Sequence, residues 1–342
     1  MRIKDFIYSL PEDRIAQEPS PSRDQSRMMV VDRNEESIKN LRFTDFPGFL
    51  GPGDVLVVND SRVIPARLTG RKSTGGRVEI LLLERWNETD SWRVMLRPAK
   101  RVEAGTRIFF DNGVYGDVAR RTTDKTWIID FNVAGDFNDF LTECGSVPLP
   151  PYIKRNPARP GSVNDRERYQ TIYASEPGSI AAPTAGLHFS ENVLDELRVR
   201  GVTIVFVTLH VGFGTFLPLT TAQVEDHVME AERYSLSEKV ARTIHRGRRV
   251  IAVGTTSVRT IETAALETGS VTAATGETSL FIYPGFRFRV TGGLLTNFHL
   301  PASSLFLLIC AFGGTQLMKR AYRKAIDEGY RFYSYGDCML IL

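Results

Sequence analysis

Gly53-Asp54-Val55-Leu56-Val57-Val58-Asn59-Asp60 is the stretch that decides the fold. Four successive apolar residues between two polar turns make a strand with both faces hydrophobic. That pattern belongs to a sheet covered on both sides. No helix pattern accompanies the strand locally, so its sheet must be completed from elsewhere in the chain. The partners lie after residue 173, where strands and helices alternate. Ser190 is placed to cap a helix whose Val193, Leu194 and Leu197 share one face, and Gly201 ends it. Val202–Leu209 reads as a buried strand, Ser237 caps a second helix, Val250–Val253 is a strand, and a helix starts near Thr255. Ser303 or Ser304 caps an apolar helix, a basic helix ends at Gly329, and Tyr330–Asp337 reads as a closing strand.

Between the two parts the character changes. Gly76–Trp86, Ser91–Arg97, Thr106–Phe110 and Trp127–Phe131 are short strand-like runs with turn residues between them. In Trp92-Arg93-Val94-Met95-Leu96-Arg97 the apolar Trp92, Val94 and Leu96 share a face opposite Arg93 and Arg97. Such a meander without helices predicts a small β-barrel. The expected fold is therefore α/β. A mixed-sheet main domain comprises residues 1–62 and 150–342, and a small antiparallel β-barrel is inserted at 63–149.

A chain of 342 residues supports two cores, and 42% hydrophobic with 24% charged residues is a globular composition. The net charge of +3 is unevenly spread: Arg62–Lys125 holds fourteen basic against eight acidic side chains, leaving −3 for the rest. A basic segment beside an acidic remainder suits a polyanionic partner held at one end, and equally a solvated basic sheet face. Cys144, Cys310 and Cys338 are widely spaced and odd in number, which points to free thiols in a reducing compartment. No apolar leader opens the chain, and the longest apolar run, Leu305–Phe312, is too short for a bilayer. The expected setting is cytoplasmic, with no membrane partner.

Four loops share one design, in which an apolar run breaks into Gly, small hydroxyl residues and a ring. They are Ser179–Phe189, Thr208–Phe216, Val253–Arg259 and Thr296–Pro301, and they carry three of the five histidines. Glycine and hydroxyls at strand ends let backbone approach a ligand and supply donors. Convergence of the four would make one polar, small-walled pocket. Gly254-Thr255-Thr256-Ser257 lies between a strand and a helix, where N–H groups and hydroxyls can hold a carboxylate, phosphate or ribose. A plain capped βα turn fits the same residues. Neither a Gly-x-Gly-x-x-Gly turn, a P-loop nor a Gly-x-Ser-x-Gly elbow occurs. His188, His210 and His299 sit in separate, apolar-flanked loops with no His-x-His or His-Glu-x-x-His spacing. Proton transfer by neutral imidazole is favoured over zinc, and no metal is expected. Each histidine alone also fits a hydrogen-bonded core residue. Glu225–Glu232 is an acidic cluster around His227, readable as a solvated turn or as a site for an ammonium or sulfonium cation. Val147–Arg155 is a proline-stiffened loop that runs on to Thr171 and holds Tyr152, Arg155, Arg166 and Tyr169, a mixture suited to nucleobases and phosphates.

Together the loops resemble a known family. Val147-Pro148-Leu149-Pro150-Pro151-Tyr152-Ile153, Ala182-Pro183-Thr184-Ala185-Gly186-Leu187-His188-Phe189, Thr208–Phe216, Val253–Arg259 and Thr296–Pro301 are similar to the S-adenosylmethionine:tRNA ribosyltransferase-isomerases of queuosine biosynthesis. Asn59–Arg67, Tyr333–Asp337 and Tyr8–Pro11 extend the resemblance across the whole chain. It implies S-adenosylmethionine as co-substrate and a tRNA whose wobble position carries 7-aminomethyl-7-deazaguanine. It also implies an epoxyqueuosine product, with adenine and methionine released. On that resemblance, His188, His210 and His299 move protons. Gly254, Thr255, Thr256, Ser257 and Arg259 hold the ribose or the methionine carboxylate, and His227 and Glu232 line the pocket or contact the amine. Tyr152, Arg155, Arg166 and Tyr169 grip the anticodon loop, while Arg93, Arg97, Lys100 and Arg101 meet tRNA phosphates. The protein is expected to act as a monomer. Competing classes are a zinc-dependent nucleoside hydrolase, a non-catalytic RNA-binding protein and an ordinary methyltransferase.

Overall fold

A computed structural model describes residues 1–87, 90–155, 163–212, 214 and 219–342. Phe213, Thr215 and Phe216, which belong to the second of the four loops, lie outside the described residues. The chain divides into two compact units, Met1–Arg62 with Pro150–Leu342, and Val63–Leu149. In chain order the first strands are β1 (Arg27–Asp32), β2 (Ser37–Arg42) and β3 (Asp54–Asn59). The second unit follows with β4 (Arg67–Lys72), β5 (Arg77–Arg85), β6 (Ser91–Arg97), β7 (Arg107–Phe109), β8 (Tyr115–Arg121), β9 (Trp127–Asn132) and helix α1 (Phe137–Cys144). The chain then forms α2 (Glu191–Val199), β10 (Thr203–Leu209), β11 (Glu232–Leu236), α3 (Glu238–Arg246), β12 (Arg249–Val253), α4 (Gly254–Ala265) and β13 (Ala274–Thr278). It ends with β14 (Gly293–Asn297), α5 (Ser304–Gly313), α6 (Thr315–Asp327) and β15 (Cys338–Ile341).

In the first unit the strand order is β13-β11-β10-β3-β12-β14-β15-β1-β2. β3 runs parallel to β10 and β12, and β12 parallel to β14. β15 is antiparallel to β14 and parallel to β1, while β11, β13 and β2 are antiparallel to their neighbours. The sheet is mixed. All six residues of β3 are buried. Val55 and Val57 pack with Val205, Ala252 and Leu294 on one face, and Leu56 and Val58 pack with Ile251, Val253 and Leu295 on the other. The two-sided apolar pattern of β3 is thus the direct consequence of helices on both faces. α4 closes the first face through Val258, Ile261 and Ala265, and α2 closes the second through Val193, Leu194 and Leu197. Serine caps start three of the helices. Ser190, Ser237 and Ser303 accept the N–H of Val193, Val240 and Phe306.

The second unit is a closed antiparallel barrel, β9-β6-β5-β4-β7-β8. Val94 and Leu96 point into it, whereas Met95 and Arg97 are exposed. Trp92 stacks on Phe137 of α1, with centroids 5.2 Å apart.

One expectation is overturned. Tyr330–Asp337 is a turn, and the strand is the following Cys338–Ile341. Tyr333 takes φ 70°, and Asp337 accepts the N–H of both Arg27 and Arg331, which folds the segment back on itself. Aromatic composition suggested a strand, but here the rings fill a core rather than a pleat.

Leu56→Ala should cost about 2–5 kcal/mol in urea unfolding, because the site lies mid-sheet under helices. Val228→Ala, at a residue 86% exposed, should change stability by less than about 0.5 kcal/mol.

Candidate active site

The parallel strands β3, β10, β12 and β14 end at one edge, where ligands of open α/β sheets bind. Residues of all four small-residue loops line a single cavity. Ala182, Pro183, Thr184 and Ala185 come from the first loop, Val211 from the second, Gly254, Thr255 and Thr256 from the third, and Thr296, Asn297 and His299 from the fourth. A neighbouring space of about 380 Å³ shares Thr184, Asn297 and His299 with it and adds Tyr152, Tyr333 and Ser334.

Asn297, the last residue of β14, is the hub. It is 2% exposed. Its Oδ1 accepts from Thr184 Oγ1 at 2.9 Å. Its Nδ2 donates to His188 Nε2 at 3.1 Å and to the Tyr333 carbonyl at 3.3 Å. The Asn297 amide donates to Nε2, so His188 carries its proton on Nδ1 and donates it to Ser26 Oγ at 2.7 Å. Both His188 nitrogens are occupied, and its ring packs near Phe43. Burial, with Arg331 and Arg23 nearby, pushes its pKa down to about 3.

His299 faces the cavity. Its Nε2 meets Thr296 Oγ1 at 2.7 Å. Tyr322 Oη accepts its backbone N–H at 2.9 Å, and Tyr8 Oη donates to its carbonyl. Two tyrosines therefore fix the backbone, and a threonine fixes the ring. Burial alone lowers its pKa to about 3, so the imidazole is neutral. His188 and His299 thus flank Asn297. His210 does not join them. It follows β10 beside Val211, and its ring covers Gly178, where a Cβ would lie 3.0 Å from the imidazole. Its Nδ1 is buried without a hydrogen-bond partner among the described residues. Burial and then Arg233 lower its pKa, and Glu176 partly opposes them.

The third loop turns β12 into α4 at Gly254, which takes φ 84°. The first-turn N–H groups of a helix lack intrahelical acceptors, and Val253 offers no side-chain cap. Thr256 is 7% exposed, and its Oγ1 is buried without a partner among the described residues. Ser257 instead donates to the Val253 carbonyl at 2.8 Å. Arg259 is withdrawn from the cavity and paired in the interior with Glu232. It also donates to the carbonyls of Leu280 and Thr278. Glu232 accepts the Gly212 N–H at 2.8 Å, which ties the pair to the second loop. His227 packs edge-on to Phe281 and is not among the cavity-lining residues. Glu225 pairs with the chain's amino terminus, and the cluster around His227 is not helical.

Tyr152 lines the neighbouring space, bonded to Ser334 at 2.7 Å. Arg155 forms a two-pronged ion pair with Asp165 at 2.6 and 2.7 Å. Tyr169 is fully buried, edge-on to Tyr335, and Arg166 is exposed. On the barrel, Arg93 is held by Glu84 and Asp124, each at 2.7 Å, whereas Arg97, Lys100 and Arg101 are exposed. Among the described residues no group of three His, Cys, Asp or Glu is placed to hold a metal ion, and no helix is long and apolar enough to cross a membrane.

Residues 3–341 match the family described as queuosine biosynthesis protein. The chain belongs to that family. It is 54% identical to the S-adenosylmethionine:tRNA ribosyltransferase-isomerase of Syntrophus aciditrophicus, and 48% identical to that of Syntrophotalea carbinolica; in both comparisons all of each chain is covered. A crystal structure of S-adenosylmethionine tRNA ribosyltransferase from Thermotoga maritima, 35% identical, matches 99% of this chain and 100% of its own at a TM-score of 0.56. Its likeness supports the sheet-plus-barrel architecture. Sequence reasoning assigned no role to Asn297, Thr184 or Ser26. The first two lie inside the motif loops, but only their hydrogen bonds reveal a hub.

The buried histidines also set acid stability. Each binds its proton near pH 6.5 unfolded but only near pH 3 folded, so the unfolded chain holds more protons between those values. Stability must then fall as pH drops from about 6.5 toward 3. His188→Gln and His299→Gln should each remove about 1.4 kcal/mol per pH unit from the slope of urea stability between pH 6 and 4. An unchanged slope would contradict neutral burial.

Proposed function

We propose that the chain transfers and isomerises the ribosyl part of S-adenosylmethionine onto 7-aminomethyl-7-deazaguanine at a tRNA wobble position. Epoxyqueuosine-tRNA, adenine and methionine are the products. Family membership and the relatives' names support the reaction class. The observation that carries the residue assignment is the four-loop cavity with His299 on its wall. Its Ala, Pro and Gly walls let a ligand approach the backbone closely.

The anionic end of S-adenosylmethionine, its methionine carboxylate, is assigned to the start of α4. The N–H groups of the first turn and the unpaired Thr256 hydroxyl are suited to an oxygen anion. Thr255 lies beside them on the cavity wall. Ser257, Arg259 and Glu232 act indirectly in this reading, holding the helix start and the Gly212 turn in register. His299 is assigned as proton acceptor. A base must be unprotonated, which burial ensures, and a proton beside a sulfonium is acidified by the positive sulfur. His188 positions Asn297 rather than touching substrate. His210, with its unpaired Nδ1, is the remaining candidate for proton delivery to departing adenine. His227 is assigned to the rim of the site. Tyr152 is assigned to meet the flipped base beside the cavity. Arg155, Arg166 and the Tyr169 segment form the loop that would meet the anticodon, and Arg97, Lys100 and Arg101, with Arg93, would contact tRNA phosphates from the barrel. We assign the reaction to the cytoplasm, to a monomer, with no metal.

Mass spectrometry of precursor-bearing tRNA after incubation with S-adenosylmethionine should reveal free adenine and a heavier wobble nucleoside. Release of S-adenosylhomocysteine would instead mark methyl transfer. His299→Ala should lower kcat by about 10²–10⁴-fold with S-adenosylmethionine affinity largely kept. Turnover within threefold of wild type would remove His299 from the chemistry.

A further inference from the structure

A further pocket opens beside the space next to His299, and Ser334 belongs to both. Its wall holds two guanidiniums, Arg23 and Arg168, together with Ser20, His188 and Tyr335. Arginines this close normally face carboxylates. Neither forms an ion pair among the described residues. Arg23 donates to the carbonyls of Leu187 and Glu167, at 3.3 and 3.0 Å. Arg168 donates to those of Pro21 and Ser20, at 3.3 and 2.6 Å, and its Nε is buried without a partner among the described residues. Arg331 has the same habit, donating to the carbonyls of Glu18 and Tyr335. The acids nearby are already engaged. Glu167 accepts from Asn164 at 3.1 Å, Asp165 is paired with Arg155 and Tyr335, and Asp337 accepts two backbone N–H groups. The two arginines repel each other: burial first, and then Arg168, lower the pKa of Arg23, and Glu167 partly opposes them. Their backbone hydrogen bonds aim the guanidiniums while leaving both without an ion-pair partner among the described residues.

We infer that Arg23 and Arg168 form a phosphodiester-binding site for the tRNA substrate, at a linkage next to the nucleotide whose base enters the cavity. The inference rests on the tRNA reading above. A phosphate would supply the missing anion and accept from Arg168 Nε. The shared wall at Ser334 puts it one side chain from the reacting space. The barrel arginines carry none of this argument.

The test is anisotropy of a labelled tRNA anticodon stem-loop over a salt series, for wild type, R23Q/R168Q and R23K/R168K. The glutamine variant should bind at least about tenfold more weakly. Its slope of log K against log salt should be shallower by about 1 for each phosphate no longer neutralised. Lysine should restore the slope, because it keeps the charge while losing the planar fork. S-adenosylmethionine affinity should stay within threefold in both. Replacing one phosphodiester at a time around the wobble position with neutral methylphosphonate should weaken wild type and leave the glutamine variant unaffected at the same linkage. An unchanged slope in R23Q/R168Q overturns the site, whether or not affinity falls, since the residues are then only backbone clips. Displacement by inorganic phosphate without any methylphosphonate effect would assign the pocket to free phosphate and also overturn it. If wild type fails to bind the stem-loop at all, the tRNA reading fails with it.

Discussion

The hydrogen bonds of Asn297 are the constraint on which the site depends. A short polar side chain at the end of a buried strand has four hydrogen-bonding positions, and apolar surroundings make each costly to leave empty. Thr184, His188 and the Tyr333 carbonyl occupy three of them, and these come from segments more than thirty residues away on either side. One side chain therefore fixes the first loop, the fourth loop and the closing turn against each other. The cavity exists because those three cannot separate without exposing an unpaired amide.

The same economy of polar groups explains the charge pattern. Buried carboxylates are held either by an ion pair, as Glu232 is by Arg259, or by hydrogen bonds, as Glu262 is by the Thr291 hydroxyl and three backbone N–H groups. Where an imidazole is buried it is neutral and tied to hydroxyls, as His188 is to Ser26 and His299 to Thr296. Thr256 Oγ1, His210 Nδ1 and Arg168 Nε are buried without a partner among the described residues, as are Nε1 of Trp92 and of Trp127 in the barrel. Unsatisfied buried polar atoms are uncommon in folded proteins, and each calls for a physical reason. On the reading proposed above, Thr256 Oγ1 would serve an anion at the helix start and Arg168 Nε an anion between two arginines.

The sheet was readable because β3 is apolar on both faces, and only a sheet covered twice rewards that pattern. The barrel was readable because Val94 and Leu96 alternate with Met95 and Arg97. Strands such as Ser37–Arg42 and Ala274–Thr278 were not foreseen, since edge strands are polar and carry no burial signal. In the site, small residues and hydroxyls announced close approach, and the four loops do meet. Side-chain direction was the illegible part. Sequence places Arg259 one turn beyond Thr255 and Thr256, yet cannot show that it turns inward to Glu232. It places His188 and His299 in equivalent loops, yet one props a hub and the other faces the cavity. Arg23 and Arg168 stand 145 positions apart, and no spacing rule joins them.

The account turns on Asn297 holding the cavity together. The most direct measurement is calorimetric titration of S-adenosylmethionine into Asn297→Ala, alongside its thermal unfolding. Loss of the hub should weaken binding by tenfold or more, on the order of 1.4 kcal/mol, while a cooperative unfolding transition persists. Wild-type affinity in a folded Asn297→Ala protein would mean that the loops are fixed by something else, and the account of the site would be wrong.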